Sequence, residues 1–497
     1  MPLDKRSVKK KVCNLGVMLL IGWIAGCTVG PNYKKPAASV PAKWDVEEPF
    51  REAAPKDAVP KTAWWNVFRD DELNGLETDL LAASQTLKVS VAHYQQARAS
   101  AAVQNATLFP TLGVAPTASR QRYSGNRATG SSFKLPGPIT QNSWTIPFTV
   151  SYEVDLVGQR RRTIEAAQAS LQENAADLEN VRLILTAELA ADYFSLRQLD
   201  SEIALLLRTV DALQKGLDLV NSRHQGGVAS GLDVAQEETL LNATRTQATL
   251  LKQQRKQFED AIAVLTGRPA PDFHVAAHEL LAEPPNLDTS LPSDLLERRP
   301  DIAEAERAMA VANAQIGIAK AAYYPSLQLY GQGGWNSAKI SQLLNAESGV
   351  WAIGANLAQS IFTGGARRAQ VQFSQAGYDA TVASYRGTVL GAFQEVQDNI
   401  TGLEVLHNAQ VSQAQAVNAS RRQLDIATSR YVGGLVSYLD VVSAQQNLLS
   451  NEQEAAIIHG QRLVTAVLLV KALGGGWDAT SLAAVQEKPH LKDIVAP

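Results

Sequence analysis

Arg430-Tyr431-Val432-Gly433-Gly434-Leu435-Val436-Ser437-Tyr438-Leu439-Asp440-Val441 repeats Arg223-His224-Gln225-Gly226-Gly227-Val228-Ala229-Ser230-Gly231-Leu232-Asp233-Val234 at an offset of 207 residues, and seven of the twelve positions are identical. A long helical pattern precedes each copy and a shorter one follows it. Upstream, Phe109-Pro110-Thr111-Leu112 and Tyr324-Pro325-Ser326-Leu327 each open an alternating segment. A unit of roughly 210 residues is used twice, and a repeat of this kind decides the fold before any local propensity does.

Before the first turn, Leu199, Ile203, Leu206, Val210, Leu213, Leu217 and Val220 step by four and three. Before the second, Tyr378, Val382, Tyr385, Val389, Phe393, Val396, Ile400 and Leu403 do the same. Each pattern covers roughly 65 residues, a helix of ~100 Å at 1.5 Å per residue. Steps of three and four are heptads, so these helices supercoil against partners. Return helices are expected over 232–266 and 438–472, stopped by Gly267 with Pro269 and by Gly474-Gly475-Gly476. A helix is expected from Asp70 to Leu108, with another from Asp301 to Ala322.

Ser143 to Asp155 alternates Trp144, Ile146, Phe148, Val150, Tyr152 and Val154 against Thr145, Pro147, Thr149, Ser151, Glu153 and Asp155. Thr111–Tyr123 is a weaker partner, and Ser124 to Thr140 reads as an exposed loop. Pro147 argues against a central place in a flat sheet. Leu327 to Trp335 and Trp351 to Leu357 alternate in the second half. Four strands per chain, one side apolar with aromatic ends and the other small and polar, match the lipid-out, lumen-in alternation of an outer-membrane barrel. Four strands cannot close, and an open edge in lipid leaves backbone groups unsatisfied. The barrel must be shared between copies: two give eight strands and a filled interior, three give twelve and a lumen. Charged residues throughout the long helices place them in water below it.

Net charge is −3 over 497 residues, and the basic start (Lys5, Arg6, Lys9, Lys10, Lys11) accounts for most of the local positive charge. No basic cluster of the nucleic-acid type remains beyond it. Val12 to Ile24 is uncharged and too short to span a bilayer, and Ile24-Ala25-Gly26-Cys27 closes a secretory signal. That ending resembles a bacterial lipobox, which implies a covalent lipid on Cys27. Thr28 after the cysteine resembles the signal for the outer membrane. Cys13 and Cys27 are the two cysteines, so no thiol is left in the mature chain for disulfide or metal chemistry. The Pro-rich stretch from 28 to about 62 reads as an extended arm. The seven histidines form no metal-ligand spacing, although His274 and His278 are four apart in a linker. No phosphate loop, nucleophile elbow or other catalytic constellation occurs, so neither metal, cofactor nor enzymatic activity is expected.

The set as a whole resembles the TolC/OprM/NodT outer-membrane factors of tripartite efflux systems. Cys27-Thr-Val-Gly-Pro-Asn-Tyr-Lys-Lys-Pro36, Trp64-Trp65 with Phe68, Arg298-Arg299-Pro300-Asp301-Ile302, Tyr324-Pro325-Ser326-Leu327, Ile361-Phe362-Thr363-Gly364-Gly365, Ser437-Tyr-Leu-Asp440-Val441 and Ala472-Leu473-Gly474-Gly475-Gly476-Trp477 carry the likeness. Its two ends resemble the lipoprotein branch that serves resistance-nodulation-division (RND) pumps. The resemblance implies an α+β membrane protein, a homotrimer with a 12-stranded β-barrel, and a periplasmic α-barrel of coiled-coil helices with an iris-like tip. An inner-membrane RND transporter and a periplasmic adaptor are the implied partners, beside outer-membrane lipid.

The chain then divides into a signal peptide (1–26), a lipidated arm (27–68), a first repeat (69–290), a second repeat (291–476) and a tail (477–497). Gly226, Gly227, Gly433, Gly434 and Asp233 become tip turns where an adaptor docks. Asp440, with Tyr431 and Ser437, becomes the periplasmic gate, where three carboxylates around one axis favour cations. Ser437-x-x-Asp440 and Ser230-x-x-Asp233 also fit capping boxes, and capping alone accounts for both carboxylates. Ser443 and Val436 depart from the family pattern, which has a second aspartate and an arginine there in some members. Trp144, Trp335 and Trp351 read as membrane-interface anchors. Arg160-Arg161-Arg162 and Arg367-Arg368, at the starts of the long helices, read either as contacts to lipid phosphates or as a solvated face. Two other readings remain: the duct of an ABC-driven type I secretion system, and a structural coiled-coil lipoprotein without a pore.

Overall fold

The computed structural model of the chain describes residues 28–37, 40–41, 63–125, 137–285 and 298–475. The signal peptide, Cys27, Trp44 and the tail with Trp477 lie outside the described residues.

The two halves are built from elements of matched length. The first holds α1 (Asp71–Ala83), α2 (Gln85–Ala106), β1 (Thr111–Val114), β2 (Thr117–Tyr123), β3 (Ile139–Val154), α3 (Gln159–Gln225) and α4 (Gly231–Leu265). The second holds α5 (Pro300–Ala321), β4 (Ser326–Ser337), β5 (Gly349–Ala358), α6 (Ala366–Val432) and α7 (Tyr438–Ala472). The long helices α3 and α6 are each 67 residues, and the return helices α4 and α7 each 35.

The heptad stripes are the buried stripes. Leu199, Ile203, Leu206, Leu213, Leu217 and Val220 are buried on α3, as are Tyr385, Val389, Val396, Ile400 and Leu403 on α6. α4 lies along α3 and α7 along α6, while α7 and α5 also pack on α3. α7 is long and apolar enough by composition to cross a membrane. Its apolar residues (Leu463, Ala466, Val467, Leu469 and Val470 among them) are instead buried against the other helices.

The helix expected from Asp70 to Leu108 is two helices. Ser84 ends α1 and starts α2 with an extended ψ of 125°, its hydroxyl accepting from Leu87 N at 3.5 Å. A serine that caps the following turn competes with helix continuation. Leu73, Leu76 and Leu80 of α1 join Trp64, Trp65 and Phe68 in the main core. There the Trp64 indole donates to Thr186 Oγ1 at 3.2 Å, and the Phe68 ring sits 5.0 Å from that of Phe194.

One antiparallel sheet runs β1/β2–β3–β4–β5. β3 is central, contrary to the expectation from Pro147, and it starts at Ile139 inside the segment expected to be loop. The reason lies in the partner strand. Val114 pairs with Phe148 and Thr117 with Thr145, so Ala115-Pro116 stand opposite Pro147-Ile146 in unbroken register. Two prolines share one gap in the ladder, and the missing N–H groups coincide with the break between β1 and β2.

The first residues of the N-terminal arm are docked on the body, and residues 42–62 lie outside the described residues. Val29 N donates to Val157 O at 2.9 Å, and Asn313 Nδ2 to Pro31 O at 3.0 Å. Arg162 is buried, reaching Val29 O (3.3 Å), Gly30 O (3.2 Å) and Asn32 Oδ1 (2.9 Å). Arg160 pairs with Glu153, and Arg161 with Asp155 at 3.1 Å. Arg162 is therefore neither a solvated side chain nor one free to reach lipid, while Arg160 and Arg161 keep part of their surface open beside their ion pairs at the β3–α3 junction.

Candidate functional site

Two regions gather the residues singled out in the sequence: the sheet faces and the far end of the helical hairpins.

On the sheet, strand register puts every apolar alternation on one side. Trp144, Ile146, Phe148, Val150, Tyr152 and Val154 face the same way as Ser337, Trp335, Gly333, Gly331, Leu329 and Leu327 across β3–β4. They also align with Trp351, Ile353, Ala355 and Leu357 across β4–β5. Leu112 and Val114 extend the face on β1. Apart from Tyr330, Val350 and Pro147 the opposite side is polar or small, with Asn336 Nδ2 donating to Thr145 Oγ1 at 2.7 Å and Gln328 Nε2 to Ser151 Oγ at 3.1 Å. Trp144, Trp335 and Trp351 share the apolar side toward the loop end. Trp335 lies opposite Ile146 and 6.3 Å from the Phe148 ring, and Trp351 opposite Gly333 is 79% exposed. From Trp144 to Val154 the strand rises about 33 Å, or ~25 Å at the usual barrel tilt, the height of an outer-membrane apolar band.

At the far end, the two Gly-Gly turns are superimposable in their bonding. Gly227 has φ +72° and Gly434 φ +73°, the left-handed conformation that favours glycine, whereas Gly226 and Gly433 are ordinary. Val228 N reaches Arg223 O at 2.8 Å and Leu435 N reaches Arg430 O at 2.9 Å, the same six-residue closure twice. Each carboxylate closes a capping box. Asp233 Oδ2 accepts from Ser230 N at 2.9 Å, and Asp440 Oδ2 from Ser437 N at 3.1 Å and Ser437 Oγ at 2.8 Å. The Asp440 carboxylate is exposed and that of Asp233 half-buried. Val228, Leu232, Leu435 and Leu439 are also exposed around the turns.

The structure brings Tyr431 inward. Tyr431 packs with Leu213, Leu217 and Val220 of α3, Leu240 and Leu241 of α4, and Tyr438, Val441 and Val442 of α7. The Arg223 guanidinium covers the Tyr431 ring at 5.0 Å, and the Tyr438 ring lies 4.9 Å away. Sequence reasoning missed Tyr438, although the repeat marks it. Tyr431 and Tyr438 stand where the first copy has His224 and Gly231, and His224 Cε1 lies 3.8 Å from the point a Cβ on Gly231 would occupy. One ring-over-neighbour arrangement is thus used twice, enlarged in the second hairpin.

The linker between the halves is stapled to the helices at mid-length. Arg197, fully buried, donates to Asp200 Oδ2 (2.7 Å), Ala276 O (2.6 Å) and Glu72. Arg255 holds Asp200 Oδ1 (2.6 Å) and Val275 O (2.8 Å), and Val275 N donates to Glu259 at 2.7 Å. His278 Nε2 is 3.0 Å from Glu72 Oε2, so this histidine belongs to the staple. Among the described residues no group of three or more His, Cys, Asp or Glu is placed to hold a metal ion. Arg299 of the Arg-Pro-Asp motif caps α7 by donating to Ala472 O at 2.9 Å.

A sheet with one lipid-compatible face, carried on water-exposed helical hairpins, defines an outer-membrane channel protein. Within that class the chain belongs to the family described as outer membrane efflux protein, whose profile matches residues 76–268 and 291–475. It is 31% identical over 474 residues to the probable efflux pump outer membrane protein TtgC of Pseudomonas putida, covering 94% of this chain and 96% of that one. It is 32% identical over 482 residues to the pyoverdine export outer membrane protein OpmQ of Pseudomonas aeruginosa, covering 95% and 98%. Among solved structures, the outer-membrane channel OprN aligns with a TM-score of 0.82 at 27% identity over 91% of this chain and 100% of that chain. The open state of the Neisseria gonorrhoeae MtrE channel aligns with a TM-score of 0.76 at 25% identity over 91% and 99%. The chain is the outer-membrane exit duct of an efflux pump, and it is not an enzyme.

Proposed function

We propose that three copies share one 12-stranded barrel above a periplasmic helical tube, conducting small molecules passively from an inner-membrane RND pump through a periplasmic adaptor. The observation that carries this reading is the sheet: a continuous apolar face whose two outer strands, β1/β2 and β5, have free edges among the described residues. Lipid does not tolerate a free edge, so the β5 edge of one copy pairs with the β1/β2 edge of the next. Trp144, Trp335 and Trp351 anchor the outer interface. Cys27 carries the lipid; Thr28, next to it, sits against Gly158 at the foot of β3, the right height for an acyl anchor. The turns Gly226-Gly227 and Gly433-Gly434, with Asp233 and the exposed Val228 and Leu435, form the adaptor's docking site. Asp440, Ser437 and Tyr431 close the gate: the cap holds the exposed Asp440 carboxylate at the start of α7, one from each copy forms a ring around the lumen, and Tyr431 packs the second hairpin against the first. Relatives named for antibiotic, toluene and pyoverdine export support small-molecule cargo.

In the native host, loss of the chain is expected to raise accumulation of an amphiphilic fluorescent dye several-fold. Re-expression should restore efflux, and a protonophore should abolish the restored efflux. Unchanged dye accumulation, with a secreted polypeptide lost from the medium, would move the chain to an ABC-driven secretion system.

A further inference from the structure

The hairpin tip buries one ionisable group that the gate as described does not use. Glu237, on the second turn of α4, is 0% exposed, and neither carboxylate oxygen has a hydrogen bond of good geometry. Its Oε1 lies 2.5 Å from the point a Cβ on Gly216 would occupy, and the Tyr438 hydroxyl lies 3.6 Å from the same point. Glycine at 216 on α3 therefore opens a niche in which a carboxyl of the first hairpin meets a phenol of the second. Gln445 Oε1, on α7, is likewise buried without a donor. Burial raises the Glu237 carboxyl above its ordinary range, and contacts with Tyr438 and Gln445 offset part of that. Burial and Glu237 together push Tyr438 up as well.

The charges around the niche offer no counter-ion. From α3, Arg223 is committed to the face of Tyr431. From α6 comes Tyr431 itself, from α4 Asp233, and from α7 Tyr438, with the Asp440 carboxylate exposed in its cap. The two carboxylate oxygens of Glu237 and the amide oxygen of Gln445 have no hydrogen bond of good geometry, and a proton kept on the carboxyl gives the Gln445 oxygen a donor. A protonated Glu237 donates to Gln445 Oε1 and accepts from Tyr438; an ionised one leaves Gln445 without a donor and adds an unpaired buried charge. In the second repeat the same position, 207 residues on, is Ala444, so the acid belongs to the first hairpin alone.

We propose that Glu237 is a positioning residue of the gate, a protonated latch that ties the α3–α4 hairpin to α7 through Tyr438 and Gln445 and lets go when it ionises. This rests on reading the tip as the gate. A carboxyl raised in the closed tip favours closure at low pH. That preference is lost as pH climbs from the ordinary carboxylate range through the closed-tip value, by up to about tenfold per pH unit.

The test uses the full-length trimer and its Glu237→Gln variant, which keeps the shape, a donor for Gln445 and an acceptor for Tyr438 but cannot ionise. Two quantities are read from about pH 4, below the ordinary glutamate range, to about pH 9: open probability in planar bilayers, and the rate of trypsin cleavage after the exposed Arg430. Comparing both proteins at each pH cancels trypsin's own profile and any contribution from His224 in the first turn. The wild type is expected to exceed the variant by about tenfold in both quantities at the alkaline end and to match it at the acid end. Parallel profiles would overturn the latch. Should neither protein conduct, the duct reading fails separately and cleavage still decides: a rise confined to the wild type upholds the latch, and equal rates reject it.

Discussion

Ile353→Arg is expected to abolish the heat-stable oligomer and outer-membrane insertion, while Ala352→Arg, one residue away, leaves both intact. Ile353 is 77% exposed in the single chain and pairs across the sheet with Gly331, which faces Val150 midway between Trp144 and Val154. An arginine there stands at the centre of the apolar band, where it costs about 2–4 kcal/mol per copy. In the proposed trimer the three copies raise that to roughly 6–12 kcal/mol, comparable with the whole stability of an ordinary domain. Ala352 pairs with Gln332 on the polar side, where an added guanidinium meets water and side-chain oxygens. Gel mobility of unheated and heated samples reads the outcome. Equal tolerance of both substitutions would remove the lipid-facing assignment.

Arg197→Met should be the most damaging single change in the helical body. The guanidinium is fully buried and holds Asp200, Glu72 and the carbonyl of Ala276 together. Removing it strands the Ala276 carbonyl and leaves Glu72 with His278 and a long contact from the Tyr193 hydroxyl, a loss of about 3–5 kcal/mol for breaking a buried pair. The linker from Phe273 to Glu283 then loses its main tie to α1 and α3. Arg208→Met is the comparison. Arg208 pairs with Glu279 at 2.5 Å, but both side chains are about half exposed, so its loss is expected to cost less than about 1 kcal/mol. Thermal unfolding in detergent, followed by the helical signal, should separate the two variants clearly. A small shift for Arg197→Met would show that Arg255 and the backbone carry the staple without it.

The long helices, the four strand positions and both tip turns were legible in the sequence because each is written as a period. Heptad steps in α3 and α6, alternation in β3 and β5, and a twelve-residue motif used twice all survive without tertiary context. What escaped was set by contacts between distant segments. Pro147 signals an edge by itself, and only the facing Pro116 makes a central place tolerable. Arg160, Arg161 and Arg162 look like a basic surface run until Glu153, Asp155 and the docked N-terminal segment are seen beside them. Ser84 carried a weak signal, a cap residue inside an unbroken leucine pattern. Glu237 carried none, since one glutamate among the many on α4 reads as solvated. Its burial depends on Gly216 one helix away and on Tyr438 about two hundred residues away. Tyr438 could have been found, because Tyr431 and Tyr438 are the two positions where the second turn replaces His224 and Gly231 with rings that stack.

Planar-bilayer conductance of the purified trimer tests the gated duct most directly, measured beside a variant carrying Asp440→Ala and Tyr431→Ala. The wild type is expected to be nearly silent. The variant, which loses the capping carboxylate and the ring that joins α6 to α3 under Arg223, should open to large currents with the cation preference reduced by loss of three carboxylates. Absence of current from both proteins, with trimers confirmed, would contradict the account and leave a helical envelope protein without a pore.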